Sequence, residues 1–197
     1  MKLPMRLIDE DEALIAAALN GSAYAWGKLV KRYEGKVYNH GLRLTGNASD
    51  AMDLMQEVFL GVYRNLHRFR GDAKFSSWIF RIAHNKAVDM NRRKRLLTIQ
   101  SRSAEEGGGD IFDAIASDAG YQPDVTMIAG QQNQRVLEML GSLPLEQRLV
   151  VELKIFQSQT FEEIAGMQDI SVNTAKTRFY AALRKLEVVL EKDHVLS

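Results

Sequence analysis

The chain contains no cysteine, which excludes disulfide bonds and metal sites built from thiolates. This composition fits a reducing compartment, and we expect a cytoplasmic protein. Only three of the 197 residues are proline, so most of the chain is free to form helices. No apolar run approaches the roughly 20 residues that span a bilayer, and residues 1–7 are too short and polar for a signal peptide. We therefore expect no membrane insertion.

Sequence motifs of catalytic and metal sites are also missing. The four histidines lack the spacing of a metal site, and no His-Glu-x-x-His sequence occurs. Residues 107–109 are glycines, but the Lys-Ser or Lys-Thr pair of a phosphate-binding loop does not follow them. Neighbouring carboxylates such as Glu162 and Glu163 are explained by helix capping and solvation. We predict that the protein is not an enzyme and needs no cofactor or metal.

The net charge is only +1, yet the charges are segregated along the chain. From Arg64 to Arg95 there are ten Lys and Arg residues, opposed only by Asp72 and Asp89. Over residues 105–124 the sign reverses, with six carboxylates and no Lys or Arg. This segregation predicts a nucleic-acid-binding face followed by an acidic tether.

Apolar residues, 46% of the chain, recur mostly at helical spacing. The pattern breaks over residues 98–124, where glycine, serine and acidic residues are typical of a flexible linker. We predict an all-α fold of two small helical domains joined by a flexible acidic linker. The expected bounds are residues 9–96 for the N-terminal domain, 97–126 for the linker and 127–192 for the C-terminal domain. Helices are predicted over residues 10–19, about 49–66, 75–95, 127–140, 145–156, 161–167 and 171–192, with a longer one ending at Gly46.

Residues 160–186 have the pattern of a helix-turn-helix motif. Thr160 and Glu163 fit a capping box at the start of a short helix, and Ser171 is placed to cap the next one. A recognition helix of this kind enters the major groove of DNA. The alternative is a helical hairpin with a solvated basic face. The residues predicted to face outward are Asn173, Thr174, Lys176, Thr177, Arg178, Tyr180, Arg184 and Lys185.

Two further segments carry functional signals. Asp50, Asp53 and Glu57 share one helix face with Gln56 beside it, which suits a basic protein partner, although for this segment alone an ordinary solvated helix face is the favoured interpretation. Residues 69–95 interleave aromatic and basic side chains, a composition that binds single-stranded nucleic acid. Trp78 also falls on an apolar helical stripe, so a core position is an open alternative. The aromatic residues of this segment are Phe69, Phe75, Trp78 and Phe80.

The order of these segments resembles the extracytoplasmic-function sigma factors of bacterial RNA polymerase. Asp-x-x-Gln-Glu-Val-Phe, starting at Asp53, is followed by Phe-Arg-Gly-Asp-x-x-Phe-x-x-Trp-Ile-x-Arg-Ile-Ala-x-Asn, starting at Phe69. Asp-x-x-Arg-Arg, the acidic linker, Leu-Pro-x-x-Gln-Arg and the helix-turn-helix come next. The resemblance covers residues 9–191. It implies a subunit that binds core RNA polymerase and directs promoter-specific initiation.

The resemblance also implies roles for individual residues. Asp53, Gln56 and Glu57 match the helix that docks on the polymerase clamp. The loop and helix that capture and open the minus-ten element are matched by Arg70, Asp72, Lys74, Phe75, Ser77, Trp78, Arg81, Asn85, Asp89 and Arg92. The minus-thirty-five recognition helix is matched by Lys176, Thr177, Arg178 and Tyr180, to which the outward Thr174 is added. The family often has glycine in the turn where this chain has Asp169, and because aspartate tolerates left-handed backbone we expect the turn to form.

The partners implied are core RNA polymerase, promoter DNA and an anti-sigma factor that covers the binding faces. One rival interpretation is a one-component helix-turn-helix regulator, which would bind duplex DNA without polymerase, as a symmetric dimer. A second rival is a purely structural helical adaptor. An assay with purified core polymerase separates the first two, because only a sigma factor would associate with the enzyme and start RNA at chosen sites.

Overall fold

A computed structural model describes the backbone of residues 10–102 and 131–195, and the side chains of residues 10–96 and 134–191. Those ranges contain eight α-helices and no strand, which confirms the all-α fold class. Residues 103–126 of the predicted linker and residues 127–130 of the predicted C-terminal domain lie outside the described residues. No helix in the described ranges is long and apolar enough to cross a membrane.

Four helices form the N-terminal half, with a short 3-10 turn, Leu66–Arg68, after the third. They are α1 (Glu10–Leu19), α2 (Ala23–Thr45), α3 (Ala48–Asn65) and α4 (Phe75–Arg102). Helix α2 packs along α3, and α1 and α4 cover them, so that Val37, Val58 and Ile79 are almost fully buried in one core. Gly46 ends α2 with φ of 69°, a left-handed conformation that glycine adopts without a Cβ clash.

The other four helices form the C-terminal half. They are α5 (Gln131–Gly141), α6 (Leu145–Val151), α7 (Phe161–Gln168) and α8 (Val172–Val195). The sequence predicted one regular helix over residues 145–156. Instead, α6 widens into a π-helical turn, Glu152–Phe156. Helix α4 also continues to Arg102, past the expected end at residue 95, because no glycine or proline interrupts residues 96–102.

The two halves pack directly against each other. Phe80 on α4 points away from the N-terminal core and lies with apolar residues of the C-terminal half. In the opposite direction, Leu149 on α6 joins the N-terminal core. Helix α4 thus has two buried sides, one toward each half, and a third side that is exposed.

Candidate functional site

Three caps define the ends of the two helices in the helix-turn-helix. Oγ1 of Thr160 accepts a hydrogen bond from the amide of Glu163 at 3.1 Å, and the Glu163 carboxylate accepts one from the Thr160 amide at 2.7 Å. Asp169 has φ of 54° and ψ of 48°, and its amide donates to the Ala165 carbonyl. The amide of Thr174 donates to Oγ of Ser171 at 3.0 Å. The capping box, the left-handed turn at Asp169 and the Ser171 cap are therefore confirmed.

The outer face of α8 presents three of the five predicted recognition residues. Lys176 and Thr177 are exposed, and Tyr180 is 56% exposed. The Lys176 ammonium lies 5.9 Å from the centre of the Phe161 ring, and the Tyr180 ring lies tilted to the same ring with 6.5 Å between ring centres. Asn173 is exposed on the same turn. This face carries a cation, a hydroxyl and a phenol, which are groups able to contact base edges and phosphates.

The other two predicted recognition residues are held by contacts within the C-terminal half. The Thr174 hydroxyl lies 2.8 Å from Oγ of Ser171, where it supports the cap. The Arg178 guanidinium pairs with the Glu146 carboxylate at 2.6 Å, and only about a quarter of its side chain is exposed. Arg178 must therefore exchange Glu146 for any phosphate or base that it contacts.

A stripe of exposed polar side chains runs along the third side of α4. Arg81, Asn85 and Arg92 lie at helical spacing after the half-buried Trp78. Asp89, half-buried, accepts from Arg92 at 3.1 Å. In the loop before the helix, the predicted residues Arg70, Asp72 and Lys74 are all exposed. Most of the predicted minus-ten residues therefore lie at the surface, either in this loop or along the exposed side of α4.

Two predicted minus-ten residues lie inside the molecule. Phe75 is 4% exposed, and its ring contacts those of Tyr33, Phe69 and Trp78 at 5.2–5.7 Å between centres. Ser77 is buried on the side of α4 that faces the C-terminal half. Phe69, Phe75 and Trp78 therefore pack between α4 and the N-terminal core, whereas Phe80 packs toward the C-terminal half. Of these four rings, only that of Trp78 also reaches the exposed stripe.

The acidic face of α3 is open to solvent, with Asp53, Gln56 and Glu57 all exposed. The Lys86 ammonium donates to the Glu57 carboxylate at 2.8 Å, and this hydrogen bond and its charge lower the pKa of Glu57. The face is therefore anionic across the neutral pH range and suits a cationic partner.

A buried cluster between the halves was not identified from the sequence. Glu152, at the start of the π-helical turn, is 0% exposed and accepts hydrogen bonds from Arg43 at 2.5 and 2.9 Å. His40 Nδ1 lies 3.1 Å from the same carboxylate. Burial alone raises the pKa of Glu152, but the hydrogen bonds from His40 and Arg43 outweigh it and lower the pKa to about 2. No local pattern signals this cluster, because its partners are more than 100 residues apart in sequence.

His84, on the same buried side of α4 as Ser77 and Phe80, is 8% exposed. Burial, with smaller contributions from the nearby His40 and Arg178, lowers the pKa of His84 to about 4. His84 is therefore neutral at physiological pH. Over residues 10–102 and 131–195 no three His, Asp or Glu side chains are grouped as in a metal site.

Comparison with known proteins gives two family matches, one in each half. Residues 29–96 match the model of Sigma-70 region 2, and residues 133–186 match that of Sigma-70, region 4. The matched ranges contain α4 with its exposed stripe and the helix-turn-helix with its recognition face.

Similar proteins match over nearly the full length. The ECF RNA polymerase sigma-E factor of Escherichia coli K12 is 30% identical over 183 residues, covering 90% of this chain and 92% of that protein. The RNA polymerase sigma-H factor of Pseudomonas aeruginosa is 29% identical over 188 residues, covering 93% and 95%.

Among solved structures, CnrH in complex with the cytosolic domain of CnrY has a TM-score of 0.64 at 26% identity, covering 94% of this chain and 99% of that one. The sigma factor RpoE from Bartonella quintana, in complex with the anti-sigma factor NepR, shares the fold with a TM-score of 0.63 at 19% identity, covering 84% and 96%. With both sigma regions in order and an identity sustained along its length, the chain belongs to the extracytoplasmic-function sigma factors, the subunits that direct RNA polymerase to promoters.

Proposed function

We propose that the two halves divide promoter recognition between them. The N-terminal domain, residues 9–96, docks on core polymerase through the acidic face of α3 and captures the opened minus-ten element along α4. The C-terminal domain, residues 127–192, reads the minus-thirty-five element with α8. The observation that carries this proposal is the pair of exposed basic surfaces, one on each half, on α4 and α8.

The exposed stripe on α4 suits a single strand. From Trp78 to Arg92 it extends about 21 Å at ~1.5 Å per residue, the length of about six stacked nucleotides at ~3.4 Å each. Arg81 and Arg92 can contact phosphates, and Trp78 offers a ring edge at one end of the stripe. Opening the duplex costs a few kcal/mol per unstacked base, which these contacts must offset.

The acidic face of α3 and the stripe on α4 are linked by an ion pair. Glu57 on α3 is bound to Lys86 on α4. A basic polymerase surface would compete with Lys86 for Glu57, so docking would release a cation on the helix that handles DNA. Docking and strand capture are in this way coupled within one domain.

We further propose that an anti-sigma factor controls this protein in the cytoplasm. The similarity to CnrH, which is bound to a domain of CnrY, supports this, and so do the exposed apolar side chains on the N-terminal half. Leu60 and Tyr63 are 49% and 65% exposed beside the acidic face of α3. A protein that covered them would also cover Asp53 and Glu57.

Transcription with purified core polymerase tests the division of roles. The protein is added to core on a library of promoter DNA, and initiated RNA is sequenced. We expect initiation at a defined set of sites with two conserved blocks. Binding to duplex DNA without any association with core would instead support the one-component regulator and contradict the proposal.

Single-residue variants test which half of the protein selects which promoter block. Arg81→Ala should weaken selection of the downstream block only, and Lys176→Ala selection of the upstream block only. The control is Lys185→Ala, also exposed on α8 but about two and a half turns from Lys176 and therefore on the opposite side. Loss of both blocks in both variants would contradict separate roles.

A further inference from the structure

Arg178 ties the recognition helix α8 to the two helices that precede it. Its guanidinium lies 2.6 Å from the Glu146 carboxylate in the first turn of α6. The same guanidinium donates to the side-chain oxygen of Gln168, the last residue of α7, at 3.4 Å. The amide nitrogen of Gln168 is buried with no hydrogen-bond partner among the described residues. Arg178 therefore joins α6, α7 and α8 through one side chain.

The side of α8 that carries Arg178 faces away from the recognition surface. At ~100° per residue, Arg178 lies about 160° around the helix axis from both Lys176 and Tyr180. Tyr180 is 56% exposed, whereas the side chain of Arg178 is 26% exposed. To contact a groove that Lys176 and Tyr180 enter, the guanidinium would have to reach around a helix ~10 Å across. The location of Arg178 thus suits a contact within the protein better than a contact with DNA.

A neighbouring residue supports this orientation of Arg178. His84 is a buried residue of α4, and its pKa is lowered mainly by burial and to a smaller extent by the charges of His40 and Arg178. The positive charge of Arg178 is therefore close enough to act on the interior of the molecule. Lys185, seven residues after Arg178, lies on the same side of α8 because seven residues make about two turns.

Glu146 projects from a turn whose backbone is held in place. Pro144 precedes α6 with φ of −54°, the value to which its ring restricts the backbone. Arg148, in the first turn of α6, donates to the carbonyls of Gly141 and Leu143 at 2.8 and 3.0 Å. These contacts attach the start of α6 to the end of α5. The Glu146 carboxylate therefore offers Arg178 a charge at a fixed place.

The ion pair adds direction to a contact that apolar side chains already hold. Ala175 and Ala182 of α8 are fully buried, the first in a cluster with Val150 and the second in a cluster with Val151. Apolar contacts are not directional, so this packing restricts rotation of α8 only weakly. A hydrogen-bonded charge has a preferred geometry, and a partly exposed ion pair contributes little to stability. The pair between Glu146 and Arg178 is therefore better suited to orienting α8 than to holding it.

Resting on the proposed function, we propose that Glu146 and Arg178 are positioning residues that set the angle at which α8 meets the upstream promoter block, and that Arg178 itself contacts no base or phosphate. Base readout needs aligned donors and acceptors, and a small rotation of α8 would misplace those on its outer face. Contacts to phosphates tolerate such a rotation better, because they carry no sequence information. Loss of the tie should therefore lower discrimination between promoters more than affinity for DNA in general.

Competition binding of the holoenzyme tests this role. The two competitors are a selected promoter and the same promoter with its upstream block scrambled. Glu146→Gln should reduce the preference for the intact block about threefold. The matched control is Glu138→Gln, which removes the same charge from an exposed carboxylate of α5 that accepts from Gln134 in its own helix. The control should keep the wild-type preference.

A charge exchange separates positioning from direct contact with DNA. Arg178→Glu alone should lose the preference at least as much as Glu146→Gln, because it places two carboxylates together. Adding Glu146→Arg should restore most of the preference, with the salt dependence of binding unchanged. If Arg178 contacts a phosphate, the exchange would instead fail to restore the preference, and the slope of log K against log salt would fall by about 0.9. That result would overturn the proposal.

Hydrogen exchange in the free chain tests the tie without polymerase or DNA. The amides of residues 176–180 should exchange about threefold faster in Glu146→Gln than in Glu138→Gln, while circular dichroism shows equal helicity. Equal exchange in the two variants would overturn the positioning of α8. Tighter binding of Glu146→Gln than of the control to every DNA would also overturn it, because Glu146 would then be a competitor of DNA for Arg178.

Failure of the proposed function has a different signature. A wild-type holoenzyme with no preference for the intact upstream block would show that α8 does not read it. Hydrogen exchange would still decide whether Glu146 and Arg178 orient the helix.

Discussion

Lys176 is the exposed cation at the centre of the outer face of α8, above the Phe161 ring. We expect Lys176→Ala to weaken promoter binding by about 1–3 kcal/mol if the ammonium contacts a base, and by less if it contacts only phosphate. Competition binding of the holoenzyme to promoters with altered upstream blocks distinguishes the two. The same loss in Lys185→Ala would show a general charge effect instead.

Glu57 is the member of the acidic α3 face whose charge state is fixed by a neighbour, Lys86. Glu57→Lys places two ammonium groups together and reverses the charge offered to polymerase. We expect core affinity to fall while helicity is retained. The control is Glu12→Lys on α1, exposed but away from this face. Pull-down of core at the wild-type level by Glu57→Lys would contradict the docking assignment.

Residue orientation was the least predictable feature from sequence. Helical spacing placed Ile79 and Trp78 on an apolar stripe, and both pack in the N-terminal core or at its edge. It did not reveal that Phe80 and Ser77 are buried on a second side of α4, because periodicity describes one buried face per helix. The aromatic and basic composition therefore did not tell which rings of this segment are buried and which reach its surface.

At the scale of elements, the helix-turn-helix depends on its caps. Thr160→Ala removes the hydroxyl that accepts from the Glu163 amide and should lower the free energy of unfolding by about 1 kcal/mol. Thr160→Ser keeps that acceptor and should lie close to wild type. Urea unfolding followed by circular dichroism measures both. An unchanged midpoint in Thr160→Ala would show that tertiary packing alone holds α7.

These caps were predictable because their chemistry is local. The capping box, the Ser171 cap and the left-handed Asp169 each involve residues within four positions of one another. The π-helical turn, Glu152–Phe156, was not, since it forms where a carboxylate must reach α2 of the other half. Elements whose shape follows from neighbouring residues were identified, and an element shaped by a distant partner was missed.

At the scale of the whole molecule, the buried titratable groups predict a pH dependence. His84 has its pKa lowered to about 4 from an ordinary 6.5, so it binds fewer protons in the folded protein than in the unfolded chain. Its contribution to stability is complete above pH 6.5 and is lost as the pH falls toward 4, by an amount of the order of 3 kcal/mol. Glu152, with a pKa of about 2 against 4.5, loses its contribution below pH 4.5.

Urea unfolding at pH 7.0 and 4.5 measures this dependence. We expect the wild-type protein to lose stability at the lower pH, and His84→Gln to lose much less. His67→Gln is the matched control, because His67 is an exposed histidine of the same half and should leave the pH dependence intact. A His84→Gln protein as acid-sensitive as the wild type would show that another group is responsible.

The division of α4 into separate sides has an evolutionary consequence. Positions 77 and 80 contact the C-terminal half, whereas positions 81, 85 and 92 face outward. Substitutions in the first set would change how the halves pack, and those in the second would, on the proposed function, change which promoters are selected. Paralogues within one cell can thus diverge in target sites along a single helix without disturbing the packing of its buried sides.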